Sequence, residues 1–95
     1  EYADFLELCQ QYDGVHLDTT MAFTAFTEST HPFPRELLTQ LHDLGDRVLF
    51  GSDFPNIPYP YLEALEAIVD LGLGADWVRG VLHNNAARLL GLQEL

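Results

Sequence analysis

Two spacings alternate along this 95-residue chain. Apolar residues three and four apart mark helix faces, and short runs with a period of two mark strands. From Tyr2 to Tyr12 the residues Tyr2, Phe5, Leu6, Cys9 and Tyr12 recur at helical spacing, opposite Asp4, Glu7, Gln10 and Gln11, so a helix is expected, with Gly14 as its left-handed stop. Val15 to Thr20 reads as a strand, with Val15, Leu17 and Thr19 on one face and His16, Asp18 and Thr20 on the other. Met21 to Pro34 mixes phenylalanines with Thr and Ser before two prolines and is expected to be a long loop, with room for one helical turn.

Leu37, Leu38, Leu41 and Leu44 then form the stripe of a second helix, opened by Pro34 or Arg35 and closed by Gly45. The next strand runs from Val48 to Gly51. Val48 and Phe50 point one way, and Leu49, Gly51 and Asp53 the other. Three prolines between Phe54 and Pro60 impose a rigid loop. A third helix carries Tyr61, Leu62, Leu65, Ile68 and Val69 and ends at Gly72 and Gly74. Asp76 is expected to cap a short helix bearing Trp77, and Asn84 or Asn85 to cap a last one, with Asn85 the readier cap and the residue that ties this helix to the barrel.

Strands alternating with helices imply an α/β fold with parallel pairing. Two strands do not make a self-sufficient parallel sheet, because such sheets are buried on both faces and need neighbours. The chain opens at Glu1 inside an amphipathic pattern, so a fragment or processed product is expected, with further strands supplied upstream or by another chain. No composition shift divides it, and 1–95 is taken as one partial domain.

Composition narrows the partners. Fifteen acidic residues against four basic ones give a formal charge of −11, which disfavours nucleic acid and anionic membrane surfaces. No apolar run is long enough for a membrane span. The single cysteine, Cys9, cannot form an internal disulfide, and without a secretory pattern at the start a reducing, cytoplasmic setting is expected.

The candidate chemistry centres on Asp53. An apolar strand, Val48-Leu49-Phe50, delivers a carboxylate at its C-terminal tip after the small pair Gly51-Ser52, and Phe54-Pro55 fixes the exit. Such a carboxylate binds a divalent metal, takes a proton from metal-bound water, or serves merely as a turn residue before proline. His16 and Asp18 share a strand face and are candidates to line a substrate site, as are Phe54 and Asn56 just beyond Asp53. His16 reads more readily as a structural histidine, and Phe54 is also readable as packing for its loop. His31 is a loop residue, His42 lies on a solvent face and His83 at a helix end. There is no glycine-rich phosphate loop, Cys-x-x-Cys pair or nucleophile elbow.

Leu49-Phe50-Gly51-Ser52-Asp53-Phe54-Pro55, followed by a helix and by Asn84-Asn85-Ala86-Ala87-Arg88-Leu89-Leu90-Gly91-Leu92, resembles the C-terminal end of the amidohydrolase-related family. This branch of the metal-dependent hydrolases includes the aminocarboxymuconate-semialdehyde decarboxylase-like enzymes. Val15-His16-Leu17-Asp18-Thr19-Thr20 is similar to the preceding strand of that family. The resemblance implies a (β/α)8 TIM barrel, of which this chain supplies roughly the last two β/α units plus terminal helices. It also implies a small-molecule substrate and a divalent metal, most often zinc, with Asp53 as metal ligand or as general base and proton shuttle. The family's His-x-His pair and later histidines have no counterpart here, so the chain alone is expected to be inactive. Hydrolysis of a C–N or C–O bond is the first expectation, and non-oxidative decarboxylation the alternative. A catalytically dead module that only associates with a partner, or an unrelated small α/β domain in which Asp53 is a cap, are further readings.

Overall fold

The structure is a computed structural model and describes residues 2–52 and 54–93. Its first helix, α1 (Tyr2–Gln11), buries Leu6 and Cys9. The apolar stripe is narrower than its spacing suggests: Tyr2 packs against the core from the side, while Phe5 and Tyr12 stay exposed. Gly14 does not adopt the left-handed conformation, and the chain instead turns through a bond from the Val15 amide to the Tyr12 carbonyl, 3.1 Å.

Strand β1 (Leu17–Asp18) and strand β2 (Val48–Leu49) pair in parallel, with Leu17 opposite Val48 and Asp18 opposite Leu49. Both are shorter than their sequence runs. The loop between them contains a four-residue helix, α2 (Ala25–Glu28), then a 3-10 turn (Arg35–Leu37) leading into α3 (Leu38–Asp43). Phe33 is buried here, meeting Tyr2 and Phe23 edge to face at 4.9 and 5.2 Å.

The two strand faces sort as the period of two requires. Val48 is buried, Thr19 is buried, and Val15, Leu17 and Phe50 are half-buried against the core. Asp18 and Thr20 emerge on the opposite, open face. The arrangement is consistent with a partial barrel: the two parallel strands pair with each other, and among the described residues no third strand joins them.

Helix α4 (Tyr61–Asp70) buries Ala64 and Ile68, and its ends are more solvated than the stripe predicts, since Tyr61, Leu62 and Val69 are exposed. Gly72 and Gly74 take φ of 71° and 102°, conformations that favour glycine. Gly74 is the N-cap of α5 (Ala75–Arg79), displacing Asp76 from that expected role. Asp76 lies within the first turn and accepts a bond from Arg79 at 2.9 Å.

The last helix does not restart at a cap. α5 continues through a π-helical segment (Gly80–Asn84) into α6 (Asn85–Leu90), and neither asparagine makes a capping bond at that junction. The wider turn is what lets the terminal helix meet β2. Val81's carbonyl accepts from the Phe50 amide at 3.0 Å, and the Asn85 side chain, 3 % exposed, donates to the carbonyls of Gly45 and Val48, the latter at 2.8 Å. Gly80 leaves room for this side chain, since a methyl group there would lie 3.2 Å from Asn85 Oδ1. Trp77 is fixed by the same junction: its indole nitrogen donates to the Leu41 carbonyl at 3.2 Å and its ring lies against Gly45.

Replacing Asn85 with Ala strands two carbonyls near the start of β2. Urea denaturation should show a loss of about 2–4 kcal/mol for Asn85→Ala. A loss under about 0.5 kcal/mol would mean that water replaces the amide and that the tie is not structural.

Candidate functional site

The open face of the strand pair is built from Asp18, Thr20 and Gly51. Asp18 precedes Thr20 by two residues, the spacing at which an aspartate closes an Asx-type turn on the chain ahead of it. The Thr20 amide donates to Asp18 Oδ1 at 2.6 Å, and the Thr20 hydroxyl donates to the same oxygen. One carboxylate oxygen is thereby fixed, and the other has no partner among the described residues.

Gly51 supplies the space this carboxylate occupies. A methyl group added at position 51 would stand 2.6 Å from Asp18 Cγ, far inside van der Waals contact. From sequence, Gly51-Ser52 reads as a place where backbone approaches a ligand. The approach is instead taken up from within the chain, by Asp18 and Thr20. The backbone of Gly51 is held as well, its amide donating to Thr19 Oγ1 at 3.1 Å.

Beside β1 lies a cleft of about 540 Å³ bounded by α1, the strand and the loop that follows it. Its walls include Tyr2, Phe5, Phe23 and Phe33, and its polar groups include Asp18, Thr20, His16 and His31. The loop wall is conformationally unusual: Met21 and Phe23 have φ of 60° and 72°, a region that side-chain-bearing residues rarely enter. Several contacts hold it, among them the Ala22 amide donating to the Thr19 carbonyl at 2.8 Å. The Thr27 hydroxyl donates to the Met21 carbonyl, and the Phe33 amide donates to Glu28 Oε2 at 2.8 Å. Backbone strain of this kind concentrates at ligand-handling sites.

Of the residues singled out from sequence, the structure brings His16 and Asp18 to this cleft and leaves Phe54 and Asn56 outside its lining. His16 is half-buried, with Nδ1 3.3 Å from the Gly14 carbonyl, a contact within its own turn. Phe54 is exposed and stacks edge to face on Tyr61 at 5.7 Å, which favours its packing role. Asn56 is exposed in the proline-rich loop. Asp53 lies outside the described residues. Thr20 was not among the expected site residues, although its offset of two from Asp18 was the available signal.

The remaining chemistry-bearing groups have local contacts. His31 is exposed, its Nδ1 3.2 Å from Thr30 Oγ1. His83 is half-buried with Nδ1 3.1 Å from Asn84 Oδ1. Cys9 is fully enclosed and its thiol lies 3.4 Å from the Val15 carbonyl. Burial pushes that thiol above its ordinary value, with Arg47 opposing and Asp46 adding to the shift, so it stays protonated and unreactive.

Among the described residues no group of three or more His, Cys, Asp or Glu side chains comes together in a way that could hold a metal ion. These residues therefore do not fit a catalytic metal by themselves, which normally needs three protein ligands. No helix among them is long and apolar enough to cross a membrane.

A family model described as Amidohydrolase matches residues 1–92, and the chain belongs to the amidohydrolase family. Neither a search of curated proteins nor one of solved structures returned a match.

The space shared by residues 18 and 51 makes their substitutions interdependent. Gly51→Ala should cost about 1–3 kcal/mol through overpacking. Asp18→Gly in the same background should recover part of that loss, the rest remaining with the Thr20 hydroxyl that meets the same methyl group, a coupling readable from a double-mutant cycle of urea midpoints. Strict additivity of the two substitutions would show that the carboxylate does not occupy the space beside Gly51.

Proposed function

We propose that this chain is the closing segment of a (β/α)8 barrel in a metal-dependent hydrolase that breaks a C–N or C–O bond of a small molecule. The observation that carries the reading is the face made by Asp18, Thr20 and Gly51. In a chain of the amidohydrolase family, the polar pair Asp18 and Thr20 stands against Gly51, which precedes Asp53 by two residues in the run that the sequence pattern ends in that acid. Parallel barrel strands present catalytic groups at their C-terminal ends, and Asp18 is the last residue of β1. Membership of the family supports the hydrolase class, and the reaction itself is the proposal.

In this reading Asp53 is the rim carboxylate that handles a proton during turnover. Asp18 and His16 line the substrate side, while Phe54 and Asn56 belong to the loop that leaves the rim. The divalent metal, zinc by resemblance, is held by ligands that other strands contribute, either in a longer protein or from a partner copy. The 95-residue chain is then inactive alone, and a decarboxylase of the same superfamily would share every feature named here except the bond broken.

Two measurements separate these possibilities. Isothermal titration of the isolated chain with zinc should give no tight one-to-one binding, and tight stoichiometric binding would overturn the shared-site reading. In the full-length protein, Asp53→Asn should lower turnover by at least about a hundredfold, the scale of a lost acid–base group, with thermal stability changed little. Release of carbon dioxide in place of hydrolysis products would move the assignment to decarboxylation. A variant that loses stability but keeps activity would reduce Asp53 to a turn residue.

A further inference from the structure

The open cleft carries an electrostatic asymmetry with a consequence for ligand choice. None of the four arginines of the chain lines it: Arg47 is drawn to the Tyr12 carbonyl at 2.8 Å, Arg79 to Asp76 and Arg88 to Asn85, and Arg35 lies beyond α2 in a different groove. The formal charge facing the cleft comes from Asp18, with His16 and His31 as the other titratable side chains apart from Tyr2. Asp18 is not a swinging surface acid. Its Oδ1 is clamped by the amide and hydroxyl of Thr20, its Cγ rests where a side chain at 51 would be, and its second oxygen has no partner among the described residues.

A carboxylate held in one orientation beside an apolar wall is built to receive a donor, because charge-assisted hydrogen bonds gain most when the acceptor is already positioned. The same group repels an anion, and no arginine stands nearby to offset that repulsion. Phe5, Phe23 and Phe33 provide the apolar side against which a planar or aliphatic body would rest.

We propose that Asp18 is a specificity-determining residue of this face, selecting a ligand that presents an ammonium or N–H donor on an apolar body and turning away one that presents a carboxylate there. As a statement about substrate it rests on the hydrolase reading above, since it makes the cleft the substrate side of that site. Thr20 is the positioning residue, acting through its grip on Asp18, and Gly51 is the position that must stay without a side chain.

Benzylamine and benzoate are a suitable pair of probes, similar in body and opposite in charge. Titrations followed by amide chemical shifts, at one pH for both probes, should show saturable shifts at Asp18, Thr20 and Gly51 with benzylamine. The affinity for benzylamine should exceed that for benzoate by about tenfold, the scale of one charge-assisted bond. Asp18→Asn should bring the two affinities to near equality. Thr20→Val, which keeps the charge and removes the hydroxyl clamp, should retain the sign of the preference and shrink it.

Equal or tighter benzoate binding by the unaltered chain overturns the proposal, as does the lack of saturable shifts at these three residues with either probe. So does an undiminished preference in a folded Asp18→Asn variant. The unaltered chain decides the matter even where a variant fails to fold. Failure of the hydrolase reading is seen separately: amine preference here without hydrolytic turnover by the full-length protein removes the reaction and leaves the site, and benzoate preference with turnover intact does the reverse.

Discussion

The Asn85 side chain is the contact on which the rest of this structure depends. The carbonyls of Gly45 and Val48 lie at the point where α3 gives way to β2, and the segment there has no second strand to satisfy them on its outer side. A buried carbonyl left unpaired is costly, and Asn85 meets both with one amide group. The π-helical turn before it, the absence of a side chain at Gly80 and the fit of Trp77 on Gly45 all serve the approach that makes this bond possible. With the terminal helix so attached, Val81 also satisfies the Phe50 amide, and β2 is held on its far edge by a helix while β1 holds the near one.

That anchoring gives the functional face its geometry. In the parallel register, Thr19 directs its amide to Leu49, so the alternation of side chains places Thr19 under the sheet and Asp18 and Thr20 above it. A shift of one residue would reverse both sets. Gly51 then sits beneath the Asp18 carboxylate because β2 is fixed at both Val48 and Phe50. The local turn chemistry of Asp18 and Thr20 orients the acid, and the distant tie at Asn85 sets what it faces.

Much of this was legible in the residues. The period of two correctly divided Val15, Leu17 and Thr19 from Asp18 and Thr20, and Val48 and Phe50 from the opposite face, because burial on one side of a strand leaves no other regular pattern. The order of helices and strands and the terminal tie through Asn85 were also readable, as was the family. Helix stripes were less faithful: Phe5, Tyr12, Leu62 and Val69 carry the right spacing and remain exposed, since spacing marks a face without saying how far a neighbour covers it. Asp76 as a cap failed because Gly74 already supplied the unusual backbone angle, and a cap at Asn85 failed because a π-turn allows the helix to continue. The pairing of Asp18 with Gly51 joins residues 33 positions apart across two strands, and neither residue's neighbours in sequence announce it.

The Asn85 bonds also impose an order on assembly. They span 40 and 37 residues, and the Trp77 bond to Leu41 spans 36, so the contacts that fix β2 close the largest loops described in the chain. Long loops close late, after local helices have formed. A chain emerging from the ribosome would have made both strands before it possessed the amide that secures the second. Until Asn85 emerges, β2 lacks the tie that sets Gly51 against the Asp18 turn, so the shape of the open face waits on a residue far from it in the chain.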